Sequence, residues 1–177
     1  MLTLMLLRHA KSSWDHPGLE DFDRPLAARG LDAAPRMAAH ISAALQAPNL
    51  ILCSGSARTR ETLKLVVPQL AAVPEIVFED ELYLASASEL LTRLRRAPRS
   101  KPRVMMIGHN PGFHDFAIAL TAHGDAHLRA NLADKFPTAA LAVLTFKGDA
   151  WSKVGPETGT LTHFVKPSQL LKGGVAA

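Results

Sequence analysis

The run Leu2–Leu7, broken only by Thr3 and stopped at once by Arg8-His9, constrains the fold more than any other part of the chain. It has the length of a strand, and apolar residues that do not alternate with polar ones suit a strand covered on both faces, as in parallel sheets between helices. No basic segment precedes it and it is too short to cross a bilayer, so neither an export signal nor a membrane span is read there.

Three more short apolar runs follow, Asn49–Cys53, Ile76–Phe78 and Val104–Ile107, with helical spacing between them. Within Leu26–Leu45, the residues Leu31, Ala34, Ala38, Ile41 and Leu45 recur as on one helix face. Pro35 then belongs either to a first turn capped by Asp32 or to a kink in a longer helix. Ala57–Val67 reads as a helix ended or bent by Pro68, and Ser86 with Glu89 has the capping-box spacing for a helix over Ser86–Arg96. After the fourth run, Asn110 is expected to cap and Pro111 to open the next helix. Ala139–Phe146 and Gly159–Val165 read as late strands, antiparallel at a sheet edge. Strands alternating with helices predict an α/β domain, a three-layer α/β/α sandwich with a largely parallel central sheet and no large lid. Residues 1–170 are expected to form one domain, with 171–177 a loose tail.

At 177 residues and 47% apolar, the chain supports one core. A net charge of +4 spread without basic blocks, and no nucleic-acid recognition signature, argue against DNA or RNA as partner. The single Cys53 can form no internal disulfide and stands in no zinc-ligand spacing, so a cytoplasmic protein without metal or cofactor is expected. A monomer is the default.

In α/β sheets, sites form where strands end in loops. Those places carry Arg8-His9, the stretch Ser54–Arg60, the acidic Glu79–Glu81, and Gly108-His109. Two forked, permanently charged guanidinium groups, Arg8 and Arg58, suit phosphoryl oxygens. A neutral His9 offers a lone pair to phosphorus, and a protonated His109 could donate to the same oxygens. Glu81 is the candidate acid for the leaving oxygen, with Asp21 and Asp23 as alternatives near the mouth. Ser12 is a further candidate for touching phosphate.

The segment Leu7-Arg8-His9-Ala10-Lys11-Ser12-Ser13-Trp14 resembles the Arg-His signature of the histidine phosphatase, or phosphoglycerate mutase-like, superfamily. Ser54-Gly55-Ser56-Ala57-Arg58-Thr59-Arg60-Glu61-Thr62 is similar to its second arginine motif, and Gly108-His109-Asn110-Pro111-Gly112 to its second histidine motif. Asp23-Arg24-Pro25-Leu26, Arg29-Gly30 and Phe136-Pro137-Thr138-Ala139-Ala140 resemble the compact SixA-like branch of phosphohistidine phosphatases. This resemblance implies a metal-independent hydrolase with a covalent phosphohistidine on His9, held by Arg8, Arg58 and His109. It also implies a phosphorylated phosphotransfer protein as substrate. The competing readings are a phosphatase of small phosphate esters and a binding module that recognises phosphorylated ligands without turnover.

Overall fold

The computed structural model describes residues 1–170; the expected loose tail, 171–177, lies outside the described residues. The strands β1 (Leu2–Arg8), β2 (Leu50–Ser54), β3 (Glu75–Glu79), β4 (Arg103–Gly108), β5 (Thr121–Gly124), β6 (Leu141–Phe146) and β7 (Gly159–Val165) form one sheet in the order β3-β2-β4-β1-β6-β7-β5. Helices α1 (Ala28–Ala44) and α2 (Ala57–Val66) cover one face, and α3 (Ala87–Leu94) and α4 (Gly112–Leu120) the other, with α5 (Ala126–Asp134) packed beside α4.

Alternation along the central strands feeds two cores. Leu4 and Leu6, with Leu52 and Met106, meet Leu90 and Leu94 of α3 and Phe113 and Phe116 of α4. Met5 and Leu7, with Ile51 and Ile107, meet Met37 and Ile41 of α1 and Leu63 and Val66 of α2. Both faces of β1 are therefore apolar, which is why its sequence does not alternate.

β3, β2, β4 and β1 run parallel, in registers that pair Ser54 with Glu79, Cys53 with Ile107 and Arg8 with Gly108. Their carboxyl ends thus line one edge of the sheet, as the strand-end reading requires. The late pair is antiparallel as expected, but it lies inside the sheet: β6 pairs with the free side of β1 and β7 with β6. The edge is β5, a four-residue strand, Thr-Ala-His-Gly, too short and too polar to announce itself in sequence.

Two capping expectations change. Pro35 sits inside α1 rather than in its first turn, so the longer helix through proline is the form adopted, and Asp32 pairs with Arg36 at 2.7 Å instead of capping. Asn110 does not cap α4; its amide goes elsewhere, as described below. The capping box forms as read, with the Glu89 amide donating to Ser86 Oγ and the Ser86 amide to the Glu89 carboxylate. Gly30, by contrast, has a role in close approach: a methyl group there would lie 2.3 Å from the Lys11 carbonyl oxygen. The first turn of α1 therefore rests directly on the backbone that leaves His9.

Candidate active site

The backbone fixes His9 and His109 side by side. The His9 amide donates to the Gly108 carbonyl at 3.1 Å, joining the carboxyl ends of β1 and β4. On the other flank the Ala139 amide is shared between the carbonyls of Arg8 and His9, at 3.1 and 3.0 Å. Ala139 adopts φ 58°, a left-handed conformation that costs a residue with a Cβ about 1 kcal/mol, held by these contacts. From α2, the Thr62 hydroxyl accepts from the Ala10 amide at 3.0 Å and donates to the Arg58 carbonyl at 2.7 Å, tying the second motif to the first.

On this frame the two imidazole centroids stand 5.3 Å apart, both rings buried. His9 Nδ1 lies 2.7 Å from the Ala10 carbonyl oxygen, which can only accept, so Nδ1 carries the hydrogen and Nε2 keeps its lone pair. His109 Nε2 lies 2.8 Å from Ser54 Oγ, while its Nδ1 is buried without a partner among the described residues. Arg8 donates from Nη1 to the Phe136 carbonyl at 2.9 Å, and its Nε is likewise buried and unpartnered. The Asn110 amide donates to that same Phe136 carbonyl at 2.9 Å, so one backbone oxygen orients side chains from both histidine motifs. Arg58 is anchored through Nη1 to the Asp21 carbonyl at 2.6 Å and through Nη2 to the Asp21 carboxylate at 3.0 Å.

Both histidines are neutral at neutral pH. Burial, reinforced by His109, Arg58 and Arg8, lowers His9 to about 3 despite the hydrogen bond to Ala10. Burial and then Arg58 lower His109 to about 3, against the pull of Asp21. His109 is thus uncharged here, and the condition that the sequence reading set for its donation to phosphoryl oxygens, a protonated ring, requires a further charge in the site. Burial, and then the neighbouring Arg58, also lower Arg8 from its usual value.

These shifts have a stability consequence. The unfolded chain binds protons at both rings from about pH 6.5 downward while the folded chain does not, so stability is whole above that pH and falls as the solution is acidified toward about 3. Each ring contributes up to about 1.4 kcal/mol per pH unit in that window. Urea denaturation between pH 7 and pH 4.5 is expected to show this slope, and the double variant His9→Gln/His109→Gln a flatter one. Equal slopes would mean that the rings titrate alike folded and unfolded.

Arg8, His9, Arg58 and His109 are therefore brought together, whereas Glu81 is not. β3 is the outer parallel strand, with β2 and β4 between it and β1, about 14 Å away at the usual strand spacing. Glu81 follows β3 on the exposed side and lines a groove with Ser88, Glu89 and Thr92 of α3. The carboxylate that reaches the group is Asp21. The Tyr83 hydroxyl donates to it, as do Arg24 at 2.9 Å and Arg58 at 3.0 Å, and these partners, Tyr83 foremost, hold its carboxyl well below the usual carboxylate range. Asp23 is exposed and supplies no carboxylate to this network. Ser12 is buried, but its hydroxyl accepts from Arg24 Nη2 at 2.7 Å, so it braces Arg24. Arg24 in turn lies over the exposed Trp14 ring at 3.3 Å and fixes Asp21.

Sequence reasoning missed Tyr83, the chain's sole tyrosine. Its ring meets His109 edge-on at 5.2 Å and Phe22 at 5.0 Å, walling the site. A lone tyrosine just beyond the third strand end was the available signal. Cys53, directly before Ser54, is fully buried, and burial raises its thiol to about 12, so it behaves as a small apolar residue. Among the described residues no group of three or more His, Cys, Asp or Glu side chains is placed to share a metal ion, and no helix is long and apolar enough to cross a membrane.

The family model of the histidine phosphatase superfamily (branch 1) matches residues 4–83. An uncharacterized protein of Mycobacterium tuberculosis is 32% identical over 163 residues, spanning 91% of this chain and 99% of its own length. Among solved structures, a candidate phosphohistidine phosphatase SixA from Agrobacterium tumefaciens superimposes with TM-score 0.79 at 32% identity, covering 94% of this chain and 98% of that one. A second candidate phosphohistidine phosphatase SixA, from Nakamurella multipartitia, gives TM-score 0.82 at 26% identity over 94% and 96% of the two chains. With Arg8-His9, Arg58 and His109 meeting at one sheet edge and relatives aligned over nearly their whole length, the chain belongs to the histidine phosphatase superfamily, in its SixA-like branch.

Proposed function

We propose that this phosphatase works through a covalent phosphohistidine on His9 and that its substrate is phosphohistidine on a phosphotransfer protein. Arg8 and Arg58 hold the phosphoryl oxygens, with the N-terminal turn of α4 close behind His109 adding positive potential. His9 Nε2 attacks phosphorus as the substrate's P–N bond breaks; the substrate imidazole leaves neutral after solvent protonates its other ring nitrogen, which is basic enough to be protonated near neutral pH. Water then attacks the P–N bond on His9, releasing inorganic phosphate and restoring the neutral ring.

The observation that carries the choice of substrate is the state of Asp21. It is the carboxylate in contact with Arg58, and it is clamped as an anion by Tyr83, Arg24 and Arg58. It has no proton to give an alkoxide, the leaving group of an alkyl phosphate ester, whereas the leaving nitrogen of phosphohistidine or a small phosphoramidate can take its proton from solvent before the bond breaks. A general acid is worth about 100-fold or more to a reaction that needs one. Side-by-side assays are therefore expected to give a phosphohistidine protein or a small phosphoramidate a kcat/KM at least about 100-fold above alkyl phosphate esters. Faster turnover of a sugar phosphate than of phosphohistidine would overturn the proposal and favour the ester phosphatase.

A further inference from the structure

Ser54 ends β2 and is fully buried, as is the His109 ring it touches. Its backbone carbonyl is taken by Thr59, but the hydroxyl has one partner among the described residues, His109 Nε2 at 2.8 Å. The remaining ring nitrogen, Nδ1, has none and is the only one left to meet a bound phosphoryl group. A hydroxyl, unlike a carboxylate or a carbonyl, can serve a ring nitrogen either as donor or as acceptor. A carboxylate here would keep the hydrogen of a neutral ring on Nε2 and present a lone pair at Nδ1, which would repel an oxyanion.

The charges around His109 change when a phosphoryl group enters. His109 is faced by the neutral His9 and by Arg8 from β1, by Arg58 from α2, by Asp21 from the turn at Asp21–Asp23, and by the Tyr83 edge from the segment after β3. Burial and two guanidinium groups against one carboxylate keep the ring uncharged. A bound dianion reverses that balance.

We propose that Ser54 is the positioning residue of His109: its hydroxyl keeps the Nδ1 hydrogen available for the phosphoryl oxygens, donating to Nε2 of the neutral ring and accepting from Nε2–H of the imidazolium. On filling, the neutral ring takes one proton from solvent, becomes an imidazolium, and both its N–H groups find acceptors. This inference rests on the reading of the pocket as a phosphoryl site and adds to it the means by which one histidine serves in two protonation states.

The test is nitrogen NMR of the full chain with labelled histidine, using tungstate as probe because it stays a dianion through the neutral range. His109→Gln identifies the resonances. The free protein is expected to show Nδ1 protonated and Nε2 bare, and the tungstate complex both nitrogens protonated. In Ser54→Ala the free ring is expected to lose its single tautomer and tungstate to bind about tenfold more weakly, as for the loss of one hydrogen bond to a charged group. A free ring with its hydrogen on Nε2, or a ring that gains no proton with tungstate, would overturn the proposal, and the wild-type spectra decide this even if the variant does not fold. A folded Ser54→Ala with unchanged shifts and affinity would reduce Ser54 to a packing residue. Tungstate that leaves both His9 and His109 undisturbed would refute the phosphoryl site itself, a distinct failure.

Discussion

His9→Ala is expected to abolish turnover, lowering kcat by at least about 10,000-fold, and to leave no phosphoenzyme. The expectation follows from the division of labour between the ring's two nitrogens. Nδ1 is committed to the Ala10 carbonyl at 2.7 Å, so Nε2 alone carries a free pair, and burial keeps that pair unprotonated across the physiological range. Neither neighbouring group is placed to take over: His109 is held at Nε2 by Ser54, and Cys53 is buried with its thiol raised to about 12. The check is a rapid denaturing quench kept alkaline, since a P–N bond is labile to acid, followed by detection of labelled protein. Wild type should show a burst of bound phosphate, and the variant none. A wild-type chain that binds phosphorylated ligands yet shows neither burst nor turnover would instead be the non-catalytic binding module.

Arg58→Ala is expected to lower kcat/KM by about 1,000-fold, with Arg58→Lys recovering only part of it. Arg58 is buried and uses one N–H from each terminal nitrogen on Asp21, at 2.6 and 3.0 Å, which fixes the plane of the fork and leaves other N–H groups for oxyanions. Alanine removes a preorganised charge and also releases Asp21 toward the phosphoryl space, so attraction is lost and repulsion gained. Lysine restores the charge without the fork, and it cannot hold Asp21 at two oxygens while also reaching a phosphoryl group. Steady-state kinetics on a small phosphoramidate, beside a thermal melt to confirm folding, measures both effects. A loss below about tenfold would mean that Arg58 serves the fold through Asp21 rather than the chemistry.

The parts of this site that were legible in the sequence are those tied to strand ends. Arg8, His9, Arg58 and His109 each follow a short apolar run or open a helix after one, so parallel strands bring them to a shared edge whatever the details of packing. Glu81 also follows a strand, and there the same logic failed, because sequence does not say which residue of the loop turns inward: Glu81 is exposed beside α3, while Tyr83, two residues on, reaches His109. Asp21 and Tyr83 were harder to read for another reason: each belongs to irregular chain, and what makes them matter is a contact across 62 positions of sequence. The Asn110 amide illustrates the opposite error, in which a valid local rule for capping gave way to a tertiary acceptor, the Phe136 carbonyl.

The placement of β6 against β1 bears on how small a working version of this protein can be. The four side chains to which the proposed reaction is assigned all precede residue 110, and a shortened chain ending at α4 would still contain every one of them. Such a fragment would nonetheless strip β1 of its antiparallel neighbour, from Leu2 against Phe146 to Leu7 against Leu141, and would leave Arg8 without the Phe136 oxygen that aims it. The strand that leads into His9 would then become a greasy open margin, inviting self-association. Catalytic competence and colloidal good behaviour are thus secured by the same late stretch of polypeptide, which holds none of the reacting groups.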